Sequence, residues 1–161
     1  MSNDELLEIL AKANDMQAIN KHIKKCFDNI NRLDLGPDPR SVMVEGMISG
    51  EGERVPFTKP VSTKAEIEIW LTSVQDNMIE TLTRKMKQGK QDYEQKDRKQ
   101  WVLDHPGQII TTVGQIYWSS QSEAYISNIW DNPNSMFDWQ NVNYFQLEQL
   151  TEHVRSGLNS I

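Results

Sequence analysis

The chain has 161 residues, of which 37% are hydrophobic, and a mean hydropathy of -0.64; that is enough apolar material for one core but polar for a spherical enzyme. Seventeen Lys and Arg stand against 23 Asp and Glu, a net charge of -6, which excludes a broad basic face able to neutralise a nucleic-acid backbone. Cys26 is the single cysteine, so an intrachain disulfide is excluded, and no run approaches the ~18 apolar residues of a membrane span.

Ser2 followed by Glu5 forms a capping box ahead of Leu6, Leu7, Ile9 and Leu10, predicting a short first helix. The start at Ser2-Asn3-Asp4-Glu5 lacks the basic and apolar regions of an export signal, so the expectation is a cytosolic protein. After Asn14 and Asp15, the spacing of Ala18, Ile19, His22, Ile23, Cys26, Phe27 and Ile30 predicts a second amphipathic helix, ending before Gly36. Gly36-Pro37-Asp38-Pro39 reads as a turn or tether. The period then changes to two: Val42, Val44, Met47 and Ile48, then Ser49-Gly50-Glu51-Gly52-Glu53, then Val55 and Phe57 predict a β-hairpin that needs a helix against it.

Ser62 or Thr63, the latter with Glu66 three residues on, is the expected cap of the longest helix. Its apolar stripe is Ile67, Trp70, Leu71, Val74, Met78, Leu82 and Met86, and continuation to Tyr93 gives a strut of ~45 Å. Beyond the charged run Tyr93 to Lys99, Trp101, Val102 and Leu103 form an apolar step. Pro106 suits the first turn of a further helix, with Ile109, Ile110, Val113, Ile116, Tyr117 and Ser120 facing inward. Gly114 in mid-helix costs about 1 kcal/mol unless another backbone packs on it, so close packing is expected there. Asn132-Pro133-Asn134 breaks the chain, and a last helix carries Phe137, Val142, Phe145, Leu147, Leu150 and Val154 inward toward Gly157. The fold class is therefore mainly α, an elongated antiparallel helical bundle or rod with one inserted β-hairpin. Its parts are a helical pair over 1–35, the hairpin over 41–58 and long helices over 62–161.

A catalytic motif is not legible. The phosphate-binding patterns G-x-x-x-x-G-K-[ST] and G-x-G-x-x-G are absent. Ser49 to Glu53 is glycine-rich, but Glu51 and Glu53 repel phosphate, and as an acid–base pair they sit on a charged turn. His22, His105 and His153 are scattered without metal-ligand spacing. Asp104-His105 lacks a nucleophile, and sequence neighbours rarely hydrogen-bond through their side chains, so His105 is expected to cap a helix or pack its ring. Helix packing is the expected role of Trp70, Trp101, Trp118, Trp130 and Trp139. The chain is thus read as no enzyme in itself, with no catalytic, cofactor-binding or metal-binding residue.

Five collinear stretches resemble the linker region of dynein heavy chains, particularly axonemal ones. Ser2 to Leu10 is similar to the family's S-N-D-E-L-L-E-I-L, and Lys25 to Ile30 to its K-C-F-x-x-I. Ser49 to Pro56 resembles S-x-E-G-E-x-V-P, and Trp70-Leu71 with Met78, Thr81 and Leu82 resembles W-L-x(6)-M-x-x-T-L. Pro106-Gly107-Gln108 with Gln115 to Trp118 resembles P-G-Q-x(6)-Q-I-x-W, with His105 where many relatives have Trp.

The resemblance implies a non-catalytic mechanical segment, the C-terminal part of a linker that transmits ATP-driven changes of an AAA+ ring during microtubule-based movement. A free-standing helical interaction scaffold is the alternative. The implied partners are the AAA+ ring of the same heavy chain and, through the full motor, other dynein subunits and microtubules, without nucleic acid, membrane or cofactor. The implied location is the cytoplasm and cytoskeleton, in a cilium or flagellum axoneme. Candidate ring-docking residues are Glu51, Glu53 and Arg54, with the exposed edge of Asp92 to Lys99; Trp70, Trp101, Pro106, Gly107, Gln108 and Trp118 are candidate structural residues.

Overall fold

A computed structural model describes residues 15–38 and 41–158. The capping box at Ser2 and the helix expected after it lie outside the described residues. The fold is mainly helical with one three-stranded antiparallel sheet. The chain divides into two compact units, Met1–Arg84 and Lys85–Ile161.

In the first unit, α1 (Met16–Cys26) starts at Asp15, whose carboxylate accepts from the amides of Gln17 and Ala18. The expected helix through Ile30 stops four residues early. Asn29 turns the chain with a φ of 60°, a region Asn tolerates, and Ile30 opens strand β1 (Ile30–Asp34). The Asn20 side chain fixes this strand to α1, accepting from the Leu33 amide at 2.6 Å and donating to the Leu33 carbonyl at 3.0 Å. Residues 1–35 are thus not a purely helical pair, and Cys26 is exposed instead of facing the core.

The hairpin is present as β2 (Met43–Ser49) and β3 (Arg54–Ser62), in the sheet order β1-β2-β3. Its second strand runs further than expected, to Ser62. A bulge between Val44 and Gly46 shifts the register, so that Val44 and Met47 both reach the interior. Thr63 does not cap a helix; its amide and hydroxyl both donate to the Val42 carbonyl, prolonging the ladder.

Helix α2 (Ile67–Gln95), 29 residues or ~44 Å, carries the expected stripe. Ile67, Trp70, Val74 and Met78 bury against Ile19 and Ile23 of α1, Leu33 of β1, Val44 and Met47 of β2, and Val55, Phe57 and Val61 of β3. Thr81 is buried on the same stripe and its hydroxyl accepts from the Thr58 amide at 3.1 Å, which ties α2 to β3.

The second unit comprises the end of α2, α3 (Arg98–Asp104), α4 (Gly107–Ser127), a 3-10 turn (Asn128–Trp130) and α5 (Ser135–Leu158). Asp97 caps α3 through the Gln100 amide at 3.0 Å. Pro106 precedes α4 as its cap residue, one position earlier than expected. Trp101, Ile109, Val113 and Trp139 form the buried apolar set. The tight glycine is Gly89 and not Gly114: a β-carbon on Gly89 would lie 2.6 Å from Ile109 Cγ2, whereas one on Gly114 would meet only Arg98 Nη2 at 3.5 Å. The inner face of α5 also departs from expectation. Ser135 and Trp139 are buried, while Phe137, Phe145, Leu147 and Val154 are exposed.

Candidate functional site

The hairpin turn that carries Glu51, Glu53 and Arg54 is tightly built. Ser49 N donates to the Glu53 carbonyl at 2.9 Å, and Glu53 N donates to Ser49 Oγ at 3.1 Å. Gly52, with a φ of +87°, closes it in a conformation that glycine adopts without a steric penalty. Glu51 is exposed. The Arg54 guanidinium is half-exposed and bonds the Asp34 carboxylate, with Glu45 Oε2 at 3.5 Å. Arg54 thus knits the edges of β1 and β2 to β3.

A second concentration of polar chemistry lies where the end of α2 meets α3 and α4. Asp92 is 6% exposed and the His105 side chain 5%. Asp92 Oδ1 accepts from Gln88 Nε2 at 2.8 Å. Its Oδ2 accepts from Lys96 Nζ and pairs with His105 Nε2, both at 3.0 Å. Lys96 also donates to Asp104 Oδ2 at 2.7 Å, and Gln100 donates to Asp104 Oδ1 at 2.6 Å. The hydrogen bonds from Lys96 and Gln88 hold the Asp92 carboxyl below the usual aspartate range, against the opposing effect of burial. Asp104 is lowered chiefly by Lys96, and Lys96 is raised chiefly by Asp104. With Asp92 ionised and acceptor-only, His105 Nε2 carries the proton between them. Asp104 and His105 do not pair with each other, and Asp92, expected on an exposed edge, is interior.

An aromatic layer adjoins this network. Tyr93 stacks on Tyr117 at 4.1 Å and meets Trp101 edge-on at 5.1 Å. The Arg98 guanidinium lies 4.7 Å from the Trp101 ring and 5.1 Å from the Tyr93 ring. Trp101 Nε1 donates to the Gly89 carbonyl at 2.8 Å. The Tyr117 hydroxyl donates to Glu94 at 2.6 Å, and that bond to a carboxylate pushes its pKa up to about 12. Arg98, Trp101 and Tyr93 line an open groove of about 560 Å³ together with Val142 and Phe145 of α5. Charges in this arrangement neutralise one another and lock helix ends, which is structural chemistry. Among the described residues, no group of three or more His, Cys, Asp or Glu is placed to hold a metal ion, and no helix is long and apolar enough to cross a membrane.

Of the candidate structural residues, Trp70, Trp101 and Pro106 are buried, Gly107 and Gln108 are exposed at the start of α4, and Trp118 is half-exposed. Trp139 is interior and Trp130 is exposed. Sequence reasoning missed the Asp92–His105 pair, the stacking of Arg98 and the approach of Ile109 to Gly89. The i, i+4 spacings of Gln88, Asp92 and Lys96 and of Gln100 and Asp104 are a legible signal for three of the five side-chain contacts of the network.

The profile of a family described as "Dynein heavy chain, N-terminal region 2" matches residues 1–89, more than half of the chain. The chain belongs to the dynein heavy chain family. It is 35% identical over 164 residues to mouse dynein axonemal heavy chain 3, covering 99% of this chain and 4% of that protein. It is 33% identical over 164 residues to the dynein-1-beta heavy chain of a flagellar inner arm complex of Chlamydomonas reinhardtii, covering 100% of this chain and 4% of that protein. Human dynein axonemal heavy chain 6 is 34% identical over 176 residues, covering 98% of this chain and 4% of that protein. This dynein heavy chain sequence therefore spans about 4% of the length of these curated relatives. The family profile covers the whole sheet and α2 as far as Gly89, and its reach ends where the polar network begins.

Proposed function

We propose that this segment is a non-catalytic mechanical part of a dynein motor, the C-terminal portion of the linker, which passes the ATP-driven rearrangement of the AAA+ ring into movement along microtubules. The observation that carries the reading is the match of residues 1–89 to the N-terminal region of dynein heavy chains. The interiors described above support it physically. Close-packed side chains in rotamer minima transmit displacement instead of absorbing it, and both units are braced by long helices with buried tryptophans. Fuel consumption belongs elsewhere in the heavy chain, a family of ATPase motors. The names of the axonemal and flagellar relatives support placement in a cilium or flagellum.

Under this reading the partner is the ring of the same polypeptide, with other dynein subunits and microtubules engaged only through the whole motor. Glu51, Glu53 and Arg54 at the hairpin turn are candidate contacts, polar and small enough to release each cycle.

The test is uncoupling in the intact heavy chain. Trp101→Phe keeps a ring in the interior but removes the donor to the Gly89 carbonyl. ATP hydrolysis is expected to remain near the native rate while microtubule gliding slows. Equal losses of both would count against a purely mechanical role.

A further inference from the structure

Helix α1 buries Ile19 and Ile23, and the spacing of Gln17, Lys21 and Lys24 places these three exposed side chains on its opposite side. Strand β1 brings Asn31 and Arg32, both exposed, alongside them. Together with Asn20 they line one open depression of about 440 Å³. Asn20 fixes the two sides relative to each other, since it accepts from the Leu33 amide at 2.6 Å and donates to the Leu33 carbonyl at 3.0 Å. Of the six lining side chains three are cationic, and none is acidic or apolar. Among the described residues, Lys21, Lys24 and Arg32 make no ion pair. Asp34, two residues beyond Arg32, gives its carboxylate to Arg54 of β3 instead. Three unpaired cations around one concavity repel one another, and an anion between them removes that repulsion.

The lining chemistry selects the kind of anion. A protein partner is held by apolar and aromatic anchors at the centre of its contact, with charges at the rim, and this depression has no apolar side chain to offer. A nucleic-acid backbone needs an extended basic face, which a chain of net charge -6 lacks. A small, densely charged and wholly polar ligand suits it on both counts. Phosphate oxygens accept from an arginine fork and from lysine ammonium groups, and the Gln17 and Asn31 side chains add amide donors. The volume lies within the range of about 300–1,000 Å³ usual for small-molecule sites.

We propose that the face shared by α1 and β1 binds a small polyphosphorylated ligand of the inositol polyphosphate class. Lys21, Lys24 and Arg32 are its phosphate contacts. The site is independent of the mechanical reading of the segment.

The test is titration calorimetry of the intact heavy chain with inositol hexakisphosphate as the probe and the nucleotide sites filled with ADP. The expected result is a saturable site that Lys21→Gln combined with Arg32→Gln weakens about ten-fold or more, through the lost charge-assisted bonds. Lys87→Gln combined with Lys90→Gln removes the same charge from α2, outside the depression, and is expected to leave the affinity nearly unchanged. All four side chains are exposed, so amide protection around Trp70 is expected to persist in both variants. Equal weakening by the two pairs would reveal a response to net charge alone and overturn the proposal. An absence of binding overturns it too, as does equally tight binding of a glutamate-rich peptide or of vesicles carrying phosphatidylinositol bisphosphate.

Discussion

In the unit that ends at Arg84, twelve buried apolar residues from α1, three strands and α2 form one cluster, and its main ion pairs, Arg54 with Asp34 and Glu45, lie at the sheet surface. In the unit that begins at Lys85, four large apolar residues share the interior with Asp92, the His105 ring and Ser135, and the Arg98 guanidinium lies on the Trp101 ring. The comparison teaches that one chain holds its helices by two different means. The first depends on apolar area removed from water, which is indifferent to pH; the second depends on geometry and charge state, because each interior polar group is tolerable only while its partner is in place.

The largest expected effects separate the two means directly. Trp70→Ala removes a side chain from the apolar cluster and is expected to cost about 3–5 kcal/mol in urea-unfolding free energy. Trp101→Ala is expected to cost at least as much, since it also strips the Gly89 carbonyl of its donor and Arg98 of one of its rings. If Trp101→Ala proved much milder than Trp70→Ala, the aromatic layer would not be what holds the second unit.

A smaller pair of effects has opposite signs. Gly89→Ala pushes a methyl into Ile109 and is expected to destabilise by about 1–3 kcal/mol. Gly114→Ala meets only the end of the Arg98 side chain and is expected to stabilise by up to about 1 kcal/mol. Thermal unfolding of the two variants reads the difference, and stabilisation by both would mean that α4 does not approach α2 at Gly89.

The gentlest perturbation is pH. Asp92 and Asp104 have folded-state pKa values below those of the unfolded chain, so their stabilising effect is present above the unfolded value and is lost as pH falls through the folded one. Lys96 and Tyr117 are raised, so their effect is present below the unfolded value and is lost as pH rises through the folded one. The second unit is therefore expected to be most stable between about pH 4 and pH 10 and to lose amide protection around Trp101 in acid before the first unit loses it around Trp70. Asp92→Asn is expected to flatten this acid dependence. Simultaneous loss at both sites in the native protein would contradict the assignment of the network to one unit.

The legibility of the sequence follows the same division. The stripe from Ile67 to Met78 and the alternation of Val55 and Phe57 were readable because apolar burial repeats at 3.6 and 2 residues, and the breaks at Gly36 and Asn132 because proline and glycine act locally. Strand β1 was not readable: Ile30 continues the helical spacing of Ile19 and Ile23, yet the chain leaves the helix at Phe27, whose backbone is extended, turns at Asn29 with a positive φ, and is then held by Asn20 at Leu33. The exposed face of α5 failed for the opposite reason, since Phe137, Phe145 and Leu147 read as core by composition, while Trp139 and Ser135 supply the contact. The Asp92–His105 pair spans 13 residues across two helix ends, beyond the reach of any local period.

The proposed mechanical role requires that this segment be displaced in response to nucleotide bound elsewhere in the heavy chain. Resonance energy transfer in the intact heavy chain, with a donor carried by an unnatural amino acid at the exposed Lys59 and an acceptor on the proposed ring of the same polypeptide, reads that displacement. The transfer efficiency is expected to change when ATP binds and to return after hydrolysis, with protection around Trp70 and Trp101 unchanged throughout. An efficiency that stays constant through the nucleotide cycle would contradict it.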